Sequence, residues 1–121
     1  MQRPFTGFTP YEGYEDMGVE KQNGVVIATL NVPEKLNPLT PGIRLGLKRI
    51  IEDVRWDDEA KVLVITGTGR GFCSGADMSG TGANPYAPTG RRTDLMEPRY
   101  KWAADFTSLD KPTIAAVNGV A

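Results

Sequence analysis

Val62-Leu-Val-Ile-Thr-Gly-Thr-Gly-Arg-Gly-Phe-Cys-Ser-Gly-Ala-Asp-Met78 joins a run of apolar residues to a run of glycines and small residues. Its four apolar residues, Val62 to Ile65, read as a short buried strand, and the glycines and small residues after them carry the backbone round a tight loop toward an expected helix. Such a loop presents N–H groups. Glycines let the main chain come close to a ligand, and a helix start leaves unpaired donors and a partial positive charge directed at it. An oxygen that gains negative charge is the atom this arrangement suits.

Outward on the N-terminal side, Asp57-Asp-Glu-Ala60 closes a helix whose start is marked by Thr40 as N-cap and Pro41 in the first turn. Ile43, Leu47, Ile50, Ile51 and Val54 recur at helical spacing and predict one apolar face, with the helix running to about Trp56. Arg44, Lys48, Arg49, Glu52 and Asp53 fall on the other face and are expected to meet water. Before the helix, Pro33 and Pro38 interrupt regular bonding in Asn31 to Thr40, which predicts an open loop whose backbone is available to a ligand. Further back, Asn23-Gly24 lies between Gly18 to Lys21 and Val25 to Leu30 and signals a hairpin with a tight turn. The hairpin, a connection containing a helix, and the Val62 strand together predict a β-β-α unit whose last strand lies parallel to a neighbour. Residues 1–16, with Phe5, Phe8, Tyr11 and Tyr14 among Gly, Pro and acidic residues, carry no useful period and read as a partly ordered arm.

On the C-terminal side, Ser79 to Arg91 is rich in Gly and Pro and reads as a mobile segment. A moderately amphipathic helix is expected from about Leu95 to Leu109, followed by another short buried strand, Pro112 to Val117. Asn118-Gly-Val-Ala121 then looks like the start of a second turn at the sheet edge, which suggests that another chain completes the face or that the sequence is a fragment.

Composition narrows the chemistry. The chain has 121 residues, room for one compact domain that buries roughly two-thirds of its unfolded surface. Fourteen basic and fifteen acidic side chains leave a formal charge of −1, which argues against nucleic acid or an anionic membrane as partner. There is no histidine and a single cysteine, so acid–base work falls to carboxylates, no disulfide forms within the chain, and no metal site is expected. With no signal segment and no long apolar run, the reading is a soluble, cytoplasmic protein.

Four segments in register carry a resemblance: Pro33-Glu-Lys-Leu-Asn-Pro-Leu39, Val62-Leu-Val-Ile-Thr-Gly67, Gly71-Phe-Cys-Ser-Gly-Ala-Asp77 and Lys111-Pro-Thr-Ile-Ala-Ala-Val-Asn-Gly119. In this order and at these intervals they resemble the N-terminal half of the enoyl-CoA hydratase/isomerase, or crotonase, superfamily, from about Val19 to Ala121. The resemblance implies an α/β fold, a spiral of β-β-α units, of which this chain holds the N-terminal part: an arm over 1–17, then 18–121 ending before the second oxyanion-hole loop. It also implies an acyl-CoA thioester as ligand, no cofactor beyond the coenzyme A of the substrate, and assembly as a homo-trimer or a dimer of trimers.

By the same resemblance the Ala76 N–H is the first donor of an oxyanion hole, and Lys35, Leu36, Asn37, Gly75, Ala76, Asp77 and Met78 line the acyl-CoA site. A second donor and the two glutamates that serve hydratases of the family fall beyond the equivalent of Ala121. Enoyl-CoA hydration is the leading implied reaction. Isomerase, thioester hydrolase, dehalogenase and carbon–carbon lyase members share this half, and a non-catalytic acyl-CoA-binding or assembly module is the alternative from another class. Arg91 and Arg92 are read as a solvated loop pair within reach of CoA phosphates, Asp77 as a helix N-cap, and Cys73 and Ser74 as packing residues. A dinucleotide fingerprint fails on spacing, because Phe72 takes the third-glycine place counted from Gly67 and Ser74 takes it counted from Gly69. After Asp77, Met78-Ser-Gly-Thr-Gly-Ala-Asn-Pro-Tyr86 departs from the charged helix of many relatives beside the acyl pocket.

Overall fold

The computed structural model describes residues 9–76 and 102–121. The hairpin comes first: β1 (Met17–Gln22) and β2 (Val25–Leu30) pair antiparallel with Gln22 opposite Val25. Asn23 and Gly24 turn the chain with φ of +52° and +81°, the left-handed pair that a two-residue loop between right-twisted strands requires.

From β2 the chain crosses through α1 (Pro41–Arg55) into β4 (Val62–Gly67), which lies parallel to β2 with Val25 opposite Val62. Thr40 is the N-cap: its Oγ1 accepts from the Ile43 N–H at 3.1 Å and donates to Asp16 Oδ2 at 2.8 Å. β6 (Thr113–Ala116) lies parallel to β4 on the far side, so the sheet order is β1-β2-β4-β6. α1 packs its apolar face on one side of this sheet, where Ile43, Ile50, Ile51 and Val54 meet Val26, Ala28, Leu30 and Leu63 in one core. Full burial of each such side chain stabilises the fold by about 1.5–3 kcal/mol.

Four expectations change. Arg49 and Asp53, placed by period on the wet face of α1, are 2% and 6% exposed. The segment before β1 covers them. Arg49 donates to the carbonyls of Glu12 at 2.8 Å, Gly13 at 3.3 Å and Thr9 at 3.4 Å, and its guanidinium lies 4.1 Å from the centre of the Tyr14 ring. Asp53 Oδ2 accepts from the Tyr14 hydroxyl at 2.6 Å and the Tyr11 N–H at 3.1 Å. Residues 9–16 therefore sit against α1 through specific polar bonds; residues 1–8 lie outside the described ones.

The open loop at 31–40 is instead a 3-10 turn, Pro33–Lys35, followed by β3 (Pro38–Leu39). The chain after the glycine run enters a strand, β5 (Gly75–Ala76), and not directly a helix; β5 pairs parallel with β3. Finally β6, read as buried, is exposed along its length, and of Val62 to Ile65 only Leu63 is fully covered. Apolar character alone therefore did not produce burial. Of the helix expected over 95–109, α2 (Trp102–Ser108) is described, with Phe106 and Leu109 packed against the core. The segment read as mobile, Ser79 to Arg91, lies outside the described residues. Neither α1 nor α2 is long and apolar enough to cross a membrane.

Candidate functional site

The glycine-rich run leaves the carboxyl end of β4, the edge at which open parallel sheets bind ligands. Its backbone is held almost residue by residue. Thr68 N–H donates to Leu30 O at 2.9 Å, Phe72 and Cys73 N–H both donate to Val120 O at 2.7 and 3.3 Å, and Ser74 N–H donates to Leu36 O at 3.0 Å.

Two asparagine side chains complete the set. Asn37, fully buried, accepts from Val32 N–H at 2.7 Å and donates to Thr68 O at 3.0 Å and Gly71 O at 2.9 Å. Asn118 accepts from Gly67 N–H at 3.0 Å and donates to Gly69 O at 3.0 Å and Gly71 O at 3.2 Å. An amide side chain offers two donors and an acceptor, and each of these uses all three on the loop or its neighbour.

The glycines of the run split into two kinds. A Cβ on Gly67 would stand 2.6 Å from the Gly71 and Phe72 carbonyl oxygens, so this glycine makes room for the protein's own backbone. Gly75 differs: its φ is +103° and no described atom lies within 4 Å of where a Cβ would be. Ala76 beside it is exposed. Among the described residues, the open part of the run is therefore its far end.

The β3–β5 pairing joins two of the segments singled out from sequence, with Pro38 opposite Gly75 and Leu39 opposite Ala76. Lys35 is exposed on the 3-10 turn and Leu36 is half-buried with φ +62°, both at the foot of the same small sheet. Asn37 is different in kind, because its side chain faces inward and holds the loop. Asp77, Met78, Arg91 and Arg92 lie outside the described residues. Cys73 is half-buried against the core, the packing position expected of it. Among the described residues no three His, Cys, Asp or Glu side chains gather as a metal site.

Sequence reasoning did not single out Asn118 as a loop-holding residue. The available signal was its place directly after a strand end and before a glycine, Gly119, whose Cβ would fall 1.9 Å from Arg70 O. That contact admits only glycine there. The approach seats Val120 in a parallel bridge with Gly71 and so brings Asn118 under the loop.

The described titration shifts lie away from this loop, where the segment before β1 and the hairpin meet α1. Burial, then the hydrogen bond to Asp53 and its charge, push the Tyr14 phenol well above its ordinary range. At Asp57 burial acts to raise the carboxyl pKa, but hydrogen bonds from Lys21 and Tyr11 outweigh it and hold the group at about 2. The hydrogen bond to Asp57 in turn raises the Lys21 ammonium.

The sequence profile described as Enoyl-CoA hydratase/isomerase matches residues 20–121. Among curated relatives, 1,2-epoxyphenylacetyl-CoA isomerase of Escherichia coli (strain K12) is 37% identical over 101 residues, covering 83% of this chain and 38% of the relative. The "Probable enoyl-CoA hydratase echA12" of Mycobacterium leprae (strain TN) is 34% identical over 119 residues, covering 93% and 40%. In three dimensions an enoyl-CoA hydratase/isomerase from Mycobacterium paratuberculosis superposes with a TM-score of 0.72 at 29% identity, over 88% of this chain and 42% of that one. The chain thus spans about two-fifths of the length of the relatives it matches.

Proposed function

The chain belongs to the enoyl-CoA hydratase/isomerase family and has the crotonase-type α/β fold in its N-terminal part, and on that footing we propose that it forms the acyl-CoA-binding part of an enzyme that stabilises a thioester enolate. The Ala76 N–H is the first donor to the thioester oxygen. The observation that carries this reading is the contrast within one loop: side-chain and main-chain bonds close in on residues 67–74, whereas no described atom lies within 4 Å of a Cβ on Gly75 and Ala76 is exposed among the described residues.

β5 pairs with β3, Pro38 opposite Gly75 and Leu39 opposite Ala76, so the backbone that carries the proposed donor is held beside the turn at residues 33–37. Removing a proton from the carbon next to a thioester, or adding water across its conjugated double bond, places negative charge on the carbonyl oxygen. A fixed N–H aimed there stabilises the charged state more than the ground state, by about 3 kcal/mol or about a hundredfold in rate.

Hydration of an enoyl-CoA is the reaction proposed: hydroxide equivalent to the β-carbon, proton to the α-carbon. The hydratase names among the relatives favour it. The isomerase at 37% identity favours a second reading, rearrangement of another acyl-CoA through the same enolate. Lys35 and Leu36 border the ligand from β3's side, and the proposal assigns Asp77 and Met78 to the same acyl-CoA site. A homo-trimer or dimer of trimers in the cytoplasm is part of the same proposal, and no cofactor is needed beyond the CoA of the substrate.

Turnover of crotonyl-CoA by the intact protein, followed as loss of the enoyl-thioester absorbance, tests the reading. Ala76→Pro deletes the N–H and is expected to lower kcat about a hundredfold while CoA binding persists. Unchanged kcat in a folded Ala76→Pro protein refutes the donor assignment. Crotonyl-CoA binding without turnover favours the isomerase reading.

A further inference from the structure

We propose that Asn37 and Asn118 are a pair of positioning residues that converge on the Gly71 carbonyl and hold the loop so that the Ala76 N–H meets the thioester oxygen. The inference rests on the oxyanion reading of Ala76. It adds two side chains that never touch the ligand.

The geometry is reciprocal. Asn37 reaches Gly71 O from the turn before β3 at 2.9 Å, and Asn118 reaches the same oxygen from the segment after β6 at 3.2 Å. A carbonyl has two acceptor lone pairs, so both bonds are made at once. Between them the two amides also cap Thr68 O and Gly69 O and receive the N–H groups of Val32 and Gly67. Together with the main-chain bonds of Thr68, Phe72, Cys73 and Ser74, this ties the loop to β2, β3 and the β6 extension up to residue 74.

Beyond residue 74 the backbone is held by the pairing of β5 with β3, and no described atom lies within 4 Å of a Cβ on Gly75. A donor acts on developing charge only when its position is set before the reaction, and a displacement of about 1 Å costs on the order of a hundredfold. Placing four amide bonds on the carbonyls of Thr68, Gly69 and Gly71 meets that requirement without occupying the ligand's space. Neither a hydroxyl, with one donor, nor a carboxylate, with none, can replace these amides.

The test reads the thioester bond directly. In the intact protein, the infrared carbonyl stretch of bound acetyl-CoA, carbon-13-labelled at the thioester carbon, is compared with Asn118→Asp and Asn37→Asp. Each variant keeps the acceptor oxygen and loses both donors. The wild type should lower the carbonyl frequency on binding. Each variant should lose at least half of that shift and exchange the 71–76 amides at least tenfold faster, with the dissociation constant for acetyl-CoA changed less than about threefold.

Rescue is expected for Asn118→Asp as pH falls, because the protonated carboxyl regains one donor. Folding is checked by amide protection in β2 and β4, and Asn118→Ala replaces the carboxylate variant if that protection is lost. A full carbonyl shift with unchanged exchange in folded variants overturns the proposal alone. Binding with no shift in the wild type overturns the oxyanion reading and this inference with it.

Discussion

Replacing Asn37 probes the buried centre of the loop, and its effect is worked from three bonds and one dihedral angle. In Asn37→Ala the Val32 N–H and Thr68 O lose their partner, while Gly71 O keeps its bond from Asn118. Two orphaned groups cost about 1–3 kcal/mol each. Residue 37 also has φ +54°, where a Cβ without a side-chain oxygen or amide to compensate adds about 1 kcal/mol. The expected loss is about 3–7 kcal/mol, a large part of a domain's total stability.

Asn37→Gly removes the same bonds but not the dihedral freedom, and should be about 1 kcal/mol less harmful than alanine. Urea unfolding with linear extrapolation measures both, provided that the slope is unchanged. The order expected is Asn, then Gly, then Ala. A loss below about 1 kcal/mol, or alanine at least as stable as glycine, would refute the reasoning from burial and backbone.

Gly119→Ala puts a methyl carbon 1.9 Å from Arg70 O and should cost at least about 2 kcal/mol through backbone displacement, whereas Gly18→Ala, with no described atom within 4 Å, should stay within about 0.5 kcal/mol; the same unfolding experiment compares them. Tyr14→Phe deletes the 2.6 Å bond to Asp53 and is expected to cost about 1.5–3 kcal/mol. Because the folded phenol pKa is raised, the stability it carries is present below pH 10 and is lost as pH rises above it, so the phenylalanine protein should lack that part of the alkaline decline. Asp57 is the opposite case: its folded pKa of about 2 lies below the ordinary 3.8, so its contribution is present above pH 3.8 and is lost as pH falls through 2. The carboxyl carbon shift of Asp57 should titrate near 2 in the wild type and higher in Lys21→Met; an unchanged midpoint would discount the 2.8 Å contact.

Local rules were enough wherever the relevant partner is close in sequence or the period is strong. Asn23-Gly24 specified its turn because two consecutive positive φ values suit few other residues, and Thr40-Pro41 specified the start of α1 because cap and first turn are neighbours. The apolar stripe of α1 and the run at Val62 were legible for the same reason, and the four motifs together indicated the family and the segments that meet at β3 and β5. What tertiary structure alone decided is which polar groups become buried. Arg49 and Asp53 look like surface residues by helical period, and only the return of residues 9–16 across α1 encloses them. Asn37 and Asn118 are 81 positions apart in the numbering (118 − 37), and nothing in either local sequence announces that both reach Gly71 O. Strand pairing brings them there, because hydrogen-bond satisfaction inside a fold is a property of neighbours in space. β6 marks the converse: its apolar sequence promised burial, and exposure depends on what lies across the sheet.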